Sequence, residues 1–348
     1  MSSVEERTDR HRGFLGAGGS CGRGDEESEQ GQRRRHGTAF LAEDLSCGLR
    51  GAPLVGFGGP PLAAVLDPAA MLLQGKRMLV TGVLTPQSLA YGIAELAQQE
   101  GAEIILTSFG RGMSLTERSA RRLSPAPEVL ELDVTNGEHF TRLTETLKAS
   151  GKPLHGVLHA VAYAPEDALG GNFLNTPWDS VATAFRVSTY SLKELAVAVA
   201  PVMTEGGSIV ALDFDNSTQA WPIYDWMGVC KAGMISVMRY LARDLGPKNI
   251  RVNAVAAGPL ITIAAKSIPG FKQLADTWTL SAPLGWNARD RHPMVAKTVV
   301  ALLSDWLPGT TGEVVHVDGG RHAIGSPPVE VMERMTAPGP DDERGPKE

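Results

Sequence analysis

The sequence predicts an α/β fold: a single doubly wound, parallel sheet of seven strands with helices on both faces. Two observations carry this. From Met71 onward, short apolar runs alternate with segments of helical periodicity, the order that builds βαβ units. The runs are continuously apolar, as in strands covered on both faces. Right-handed crossovers then place successive helices on the two sides of the sheet, and no internal repeat competes with this organisation.

Lys76–Thr81 reads as the first strand, closed by Gly82, with a helix from Leu89 to Gly101 behind it. Gly82 permits a tight turn, and the free N–H groups at the start of the helix suit a pyrophosphate. Ser88 stands where a glycine-rich fingerprint would carry its second glycine, and a plain strand-to-helix turn reads the same way. Glu103–Thr107 is the second strand, followed by Ser108-Phe109-Gly110-Arg111. No acid stands there to hold a ribose. Phe109 offers a face to adenine and Arg111 a cation for stacking or a phosphate; the other reading is an exposed loop with one buried aromatic. Val129–Asp133 is the third strand, before a helix to about Ser150. Asp133-Val134 offers a carboxylate to an adenine amino group, or a cap for that helix.

Gly156–Val161 is the fourth strand. The small residues Ala160 and Ala162 at its end let a ligand approach the backbone, and His159 reads as a structural histidine. One or two helices cover Pro177 to about Met203. Gly207–Leu212 is the fifth strand, followed by Asp213-Phe214-Asp215, a pair of acids whose spacing alone does not make a glycosidase dyad. Ile250–Val255 is the sixth strand, Val295 to Leu303 a helix, and Glu313–Val317 the seventh strand. In such a sheet ligands bind beyond the carboxyl ends of the strands, where the strand order reverses, so the residues after each strand are the candidates.

The long helix behind the fifth strand opens with Tyr224 and carries Lys231 seven residues on, with apolar positions from Ala232 to Leu245 at helical spacing. At about 3.6 residues per turn the two side chains share a face. A phenol and an ammonium so placed form an acid and a cofactor anchor for hydride transfer; two solvated side chains would give the same letters. Cys230 points off the Lys231 face and reads as a small packed hydrophobe. Trp221, Trp226, Trp278, Trp286 and Trp306 are too widely spread for a binding stripe and read as core. Thr262 to Leu280 mixes Ile263, Ala264, Ala265, Ile268, Phe271, Leu274 and Trp278 with Lys266, Lys272 and Asp276. That pattern suits a lid with an apolar inner side, broken at Pro269-Gly270, or a core helix with a solvated face.

The net charge of -6 gives no general reason for nucleic-acid binding, and no apolar run is long enough to span a membrane. Three scattered cysteines fit neither a disulfide framework nor a metal site, so no metal is expected and a reduced, cytoplasmic compartment fits best. Residues 1–70 are rich in Gly and Arg without periodicity; they read as a disordered extension or as sequence upstream of a true start at Met71. Residues 71–325 form the expected domain, with the lid at about 262–281, and 326–348 a flexible, Pro-rich tail.

Taken together, Ser88-Leu89-Ala90, Leu130-Glu131-Leu132-Asp133-Val134, Asp213-Phe214-Asp215 and Tyr224-x6-Lys231 resemble one family. So do Ala257-Gly258-Pro259-Leu260-Ile261-Thr262, Ala282-Pro283-Leu284-Gly285-Trp286-Asn287, Ala301–Trp306 and Asp318-Gly319-Gly320. These words are similar to the NADH-dependent enoyl-acyl-carrier-protein reductases of the short-chain dehydrogenase/reductase superfamily, actinobacterial type. The resemblance implies a Rossmann-like sheet, NADH rather than NADPH, acyl carrier protein as the partner bearing the substrate, and a homotetramer. It implies that Tyr224 is the catalytic acid, Lys231 the ribose anchor and Phe214 an aromatic beside the nicotinamide. Gly82, Ser88, Leu89, Phe109, Asp133, Val134, Ala160, Ala162, Lys231 and Thr262 fall at cofactor-contacting positions. Ala160 and Ala162 replace the family's usual Ser and Gly, Tyr163 a Phe, and Ile261 a basic residue. The rivals are a 3-ketoacyl or alcohol dehydrogenase of the same superfamily and a nucleotide-binding regulator without catalysis. The first usually places Lys four residues after Tyr and a Ser on the fifth strand.

Overall fold

Each central strand sends alternate side chains into two separate hydrophobic layers. In β1 (Arg77–Val80) Met78 and Val80 enter one layer and Leu79 the other; in β2 (Glu103–Ser108) Ile104 and Leu106 oppose Ile105. After β3 (Glu128–Glu131), the same division holds in β4 (Gly156–His159), β5 (Gly207–Asp213) and β6 (Ile250–Ala257), where Leu158, Val210 and Val255 oppose Val157, Ile209 and Val252. With β7 (Val314–Val317) they form one seven-stranded sheet, order β3-β2-β1-β4-β5-β6-β7, every pair parallel. Period-two burial on both faces is what a sheet sandwiched between helices requires. The expected doubly wound, Rossmann-like fold is present.

The computed structural model describes residues 71–336 apart from 215–217, 263–264, 266–267, 269 and 290–292. The expectations for residues 1–70, for Asp215, for Ile263, Ala264, Lys266 and Pro269, and for the tail beyond 336 lie outside the described residues. The described helices are α1 (Leu89–Gln99), α2 (Gly112–Ala120), α3 (Gly137–Ala149), α4 (Trp178–Phe185), α5 (Ser191–Val199), α6 (Asp225–Leu245), α7 (Phe271–Ser281), α8 (Pro293–Leu303) and α9 (Val329–Thr336). α1, α7 and α8 fill the first layer; α3, α5 and α6 fill the second.

One feature was not expected. α2 has no counterpart among the expected helices, because Gly112–Ala120 is short and mostly polar. The stretch from Pro177, expected as one or two helices, is a helical run in which a π turn at Arg186–Tyr190 joins α4 to α5. The tail read as flexible contains α9.

Candidate active site

β1 and β4 are neighbours in the sheet although two strands separate them in sequence, and this is where the strand order reverses. Thr81 stitches their ends together. Its hydroxyl donates to the Leu158 carbonyl (3.0 Å) and accepts from the Ala160 amide (2.8 Å). Gly82 then turns away at φ +79°, and a Cβ on it would overlap the Ala160 carbonyl. Both the conformation and the close approach demand glycine. The loop is held from behind by α2, where the Thr116 hydroxyl donates to the Val83 carbonyl (2.5 Å) and the Ser119 hydroxyl to the Leu84 carbonyl (3.0 Å). Ser88 occupies the N-cap of α1 without capping it, because its hydroxyl donates to the Thr85 carbonyl (2.7 Å). The first-turn amides of α1 therefore lack a side-chain cap, the arrangement that favours a phosphate.

A cleft of about 780 Å³ opens here. Nine of the predicted residues line it: Gly82, Ser88, Leu89, Ala160, Ala162, Phe214, Tyr224, Lys231 and Thr262. Three stand outside it, at or just beyond the ends of β2 and β3. Phe109 is half-exposed, against the reading of a buried aromatic. The Val134 side chain is buried in the second hydrophobic layer. Asp133 turns back on its own loop, accepting from the Thr135 amide (2.8 Å) and hydroxyl (2.7 Å). It does not cap α3; Asn136 does, accepting from the Glu138 amide (3.0 Å).

Tyr224 is the N-cap residue of α6, so the helix proper starts one residue later, and the phenol and the Lys231 ammonium both face the cleft. Burial, then the negative charge of Asp213 and then Cys230, push the phenol's pKa well above its ordinary value, so it is protonated at any working pH. Burial pulls the Lys231 ammonium down, while Asp213 and then Cys230 oppose that pull. Its Nζ donates to the Leu212 carbonyl at 2.6 Å, which fixes the side chain against β5. Burial drives the Cys230 thiol up to about 11, in keeping with a packed side chain and not a nucleophile.

Several residues at the site were not foreseen from the sequence. The π turn and the first residue of α5 carry three fully buried hydroxyls, each tied to a different wall. Ser188 bonds the Tyr163 amide and carbonyl (both 2.9 Å), Thr189 donates to the Cys230 carbonyl beside Lys231 (2.7 Å), and Ser191 meets His159 Nε2 (2.8 Å). Turns of this kind cluster at functional sites, and the signal available was three hydroxyl residues inside an otherwise helical run. Trp278 is far along the chain from Phe214 and Trp221, yet Trp221 and Trp278 lie 4.7 Å apart between ring centres, with Phe214 5.3 Å from Trp278. Phe214 also meets the Tyr224 ring edge-on at 5.1 Å. Two of the tryptophans read as scattered core, Trp221 and Trp278, thus join in a single cluster behind the cleft, whereas Trp306 is exposed.

A family model described as enoyl-(acyl carrier protein) reductase matches residues 82–322. The chain is 45% identical over 263 residues to an enoyl-acyl-carrier-protein reductase (NADH) of Mycolicibacterium smegmatis, covering 72% of this chain and 97% of that protein. It is 42% identical over 264 residues to the protein of that name from Mycobacterium avium, with the same coverage. It is 37% identical over 255 residues to the enoyl-acyl-carrier-protein reductase (NADH) FabI of Bacillus subtilis, covering 72% of this chain and 97% of that protein.

Proposed function

The chain belongs to the enoyl-(acyl carrier protein) reductase family, and from that premise we propose a role for each residue of its cleft. It is an NADH-dependent oxidoreductase of fatty-acid biosynthesis that reduces the trans-2 double bond of enoyl thioesters carried on acyl carrier protein. The residues at the switch point fit a dinucleotide: Gly82 makes a tight turn into the cleft, and Ser88 and Leu89 at the uncapped start of α1 line the same cleft. Gly82, Ser88, Leu89 and Thr262 would hold the diphosphate, Lys231 the ribose hydroxyls near the reacting ring, and Ala160, Ala162 and Phe214 would flank that ring. Phe109, Asp133 and Val134 would serve the adenine end.

Bound NADH supplies the hydride. As the substrate's C3 accepts it, negative charge moves to the thioester oxygen, and Tyr224 donates a hydrogen bond to that oxygen where charge develops. Its raised pKa keeps the proton in place for this task. The observation that carries the reading is that Tyr224 and Lys231 face one cleft together with the uncapped start of α1. Conjugate addition forms its oxyanion two carbons from the carbon that takes the hydride, so the acid must stand farther from the ribose anchor than in a ketone reductase. A spacing of seven residues in place of four adds about 4.5 Å along a helix. A homotetramer working in the cytoplasm, with acyl carrier protein docking at the cleft, belongs to the same proposal; no described helix is long and apolar enough to cross a membrane.

Two variants test the division of roles. Tyr224→Phe is expected to lower kcat on an enoyl thioester and leave the NADH dissociation constant unchanged. Lys231→Ala is expected to weaken NADH binding. Equal loss of NADH affinity in both variants would refute the assignment.

A further inference from the structure

Tyr224 stands between two residues in the left-handed region, Ile223 at φ +68° and Asp225 at φ +40°. For a β-branched residue this conformation is strained, and it persists only where the surroundings hold it. The surroundings here are a separate loop, Gly170 to Phe173. The Gly170 amide donates to the Ile223 carbonyl (2.9 Å). The Gly171 and Asn172 amides both donate to Asp225 Oδ2 (2.6 and 3.0 Å). The Phe173 carbonyl accepts from Trp226 Nε1 (3.0 Å), and the two rings stack at 4.8 Å.

Gly170 and Gly171 lie at φ +80° and +90°, a backbone that glycine adopts freely. That turn aims successive amides at neighbouring acceptors, in the manner of an anion-binding concavity. The residues on either side of Tyr224 are thus fastened to one loop, while Tyr224 itself faces the cleft.

We propose that Asp225 is a positioning residue for the reduction: its carboxylate, through the Gly171 and Asn172 amides, holds the strained turn that aims the Tyr224 phenol at the substrate oxygen. This rests on the reading of Tyr224 as donor to that oxygen. A purely structural acid in the first turn of α6 would act on helix stability through the helix dipole. A positioning acid acts on kcat.

The experiment uses the full chain. Asp225→Ala is expected to lower kcat on an enoyl thioester roughly tenfold to a hundredfold, the cost of misplacing a reacting group by about an ångström. Its NADH dissociation constant, read by fluorescence titration, is expected to stay at the parent value, and amide exchange at residues 170–172 to accelerate. Asp225→Asn keeps an acceptor oxygen in place and is expected to recover most of kcat. Wild-type kcat in the Ala variant, a matching loss of NADH affinity, or no recovery in the Asn variant overturns the proposal. Tyr224→Phe is measured alongside. If it retains full kcat, the donor reading itself fails; if it loses kcat while Asp225→Ala does not, the latch alone fails. Should Asp225→Ala not fold, Gly171→Ala decides: its methyl meets open space, yet φ +90° opposes it. A fall in kcat with unchanged NADH binding supports the latch, and wild-type kcat overturns it.

Discussion

At the scale of single residues, His159 is the point at which acid reaches this fold. It is fully buried, and burial, then the charge of Lys231, bring its pKa from the ordinary 6.5 down to about 3. The Ser191 hydroxyl donates to the Val187 carbonyl (2.6 Å), so the network assigns the imidazole proton to Nε2, which donates to Ser191. The ring is neutral in the folded chain, whereas the unfolded chain protonates it below about 6.5. The unfolded state therefore binds the extra proton between those two values, and stability falls as pH drops from about 6.5 toward 3, by up to ~1.4 kcal/mol per pH unit. His159→Gln keeps a donor for Ser191 and removes the titration, so urea melts between pH 6.5 and 4 should show a shallower acid loss than in the parent. Equal slopes would show that His159 does not carry it. The structural reading of this histidine was legible from a strand-end position in an apolar run. That Tyr224, Lys231 and Gly82 face one cleft was legible from the helical spacing of the first two and from the place of Gly82 at a strand end. Asp225 and Thr189 were not, since their roles depend on a strained turn and a π insertion that leave no period in the sequence.

At the scale of elements, the segment over the cleft matters most. α7 buries Leu274, Ala275 and Trp278 and exposes Lys272 and Asp276, which pair at 2.7 Å. Ala265, Ile268, Phe271 and Leu274 wall the cleft. An apolar inner side is present, as a lid and a core helix with a solvated face both require, and it was legible because it follows helical spacing. Behind it Trp278 packs on Trp221 and Phe214, a contact between α7 and the connection after β5 that no local pattern announces. This wall, made by α7 and the few residues before it, buries only a limited number of acyl methylenes, each worth up to ~0.8 kcal/mol. With enoyl thioesters of four to sixteen carbons, kcat/KM should rise over the shorter chains and then level off. A steep rise continuing to the longest chain would contradict the short wall. α2 shows the opposite case: a short, mostly polar helix supports the loop after β1 through Thr116 and Ser119.

At the scale of the whole molecule, the parallel sheet was legible because seven apolar runs each end in turn or small residues. The strand order was inferable only through the handedness of the crossovers. Leu72 and Leu73 are tied to the end of α1, their amides donating to the Glu100 carboxylate (3.0 Å) and carbonyl (2.8 Å). The relatives' near-complete lengths are accommodated within 72% of this chain. A chain beginning at Met71 is therefore expected to fold and to reduce enoyl thioesters; loss of soluble protein or of activity would give residues 1–70 a structural role. The central claim is that this cleft reduces a carbon–carbon double bond conjugated to a thioester. The most direct measurement is NADH oxidation by the full chain with a trans-2-enoyl thioester and, separately, with a 3-ketoacyl thioester of the same length. Turnover is expected with the first and none of comparable rate with the second. Faster turnover of the ketoacyl thioester, or none with either, would contradict the claim.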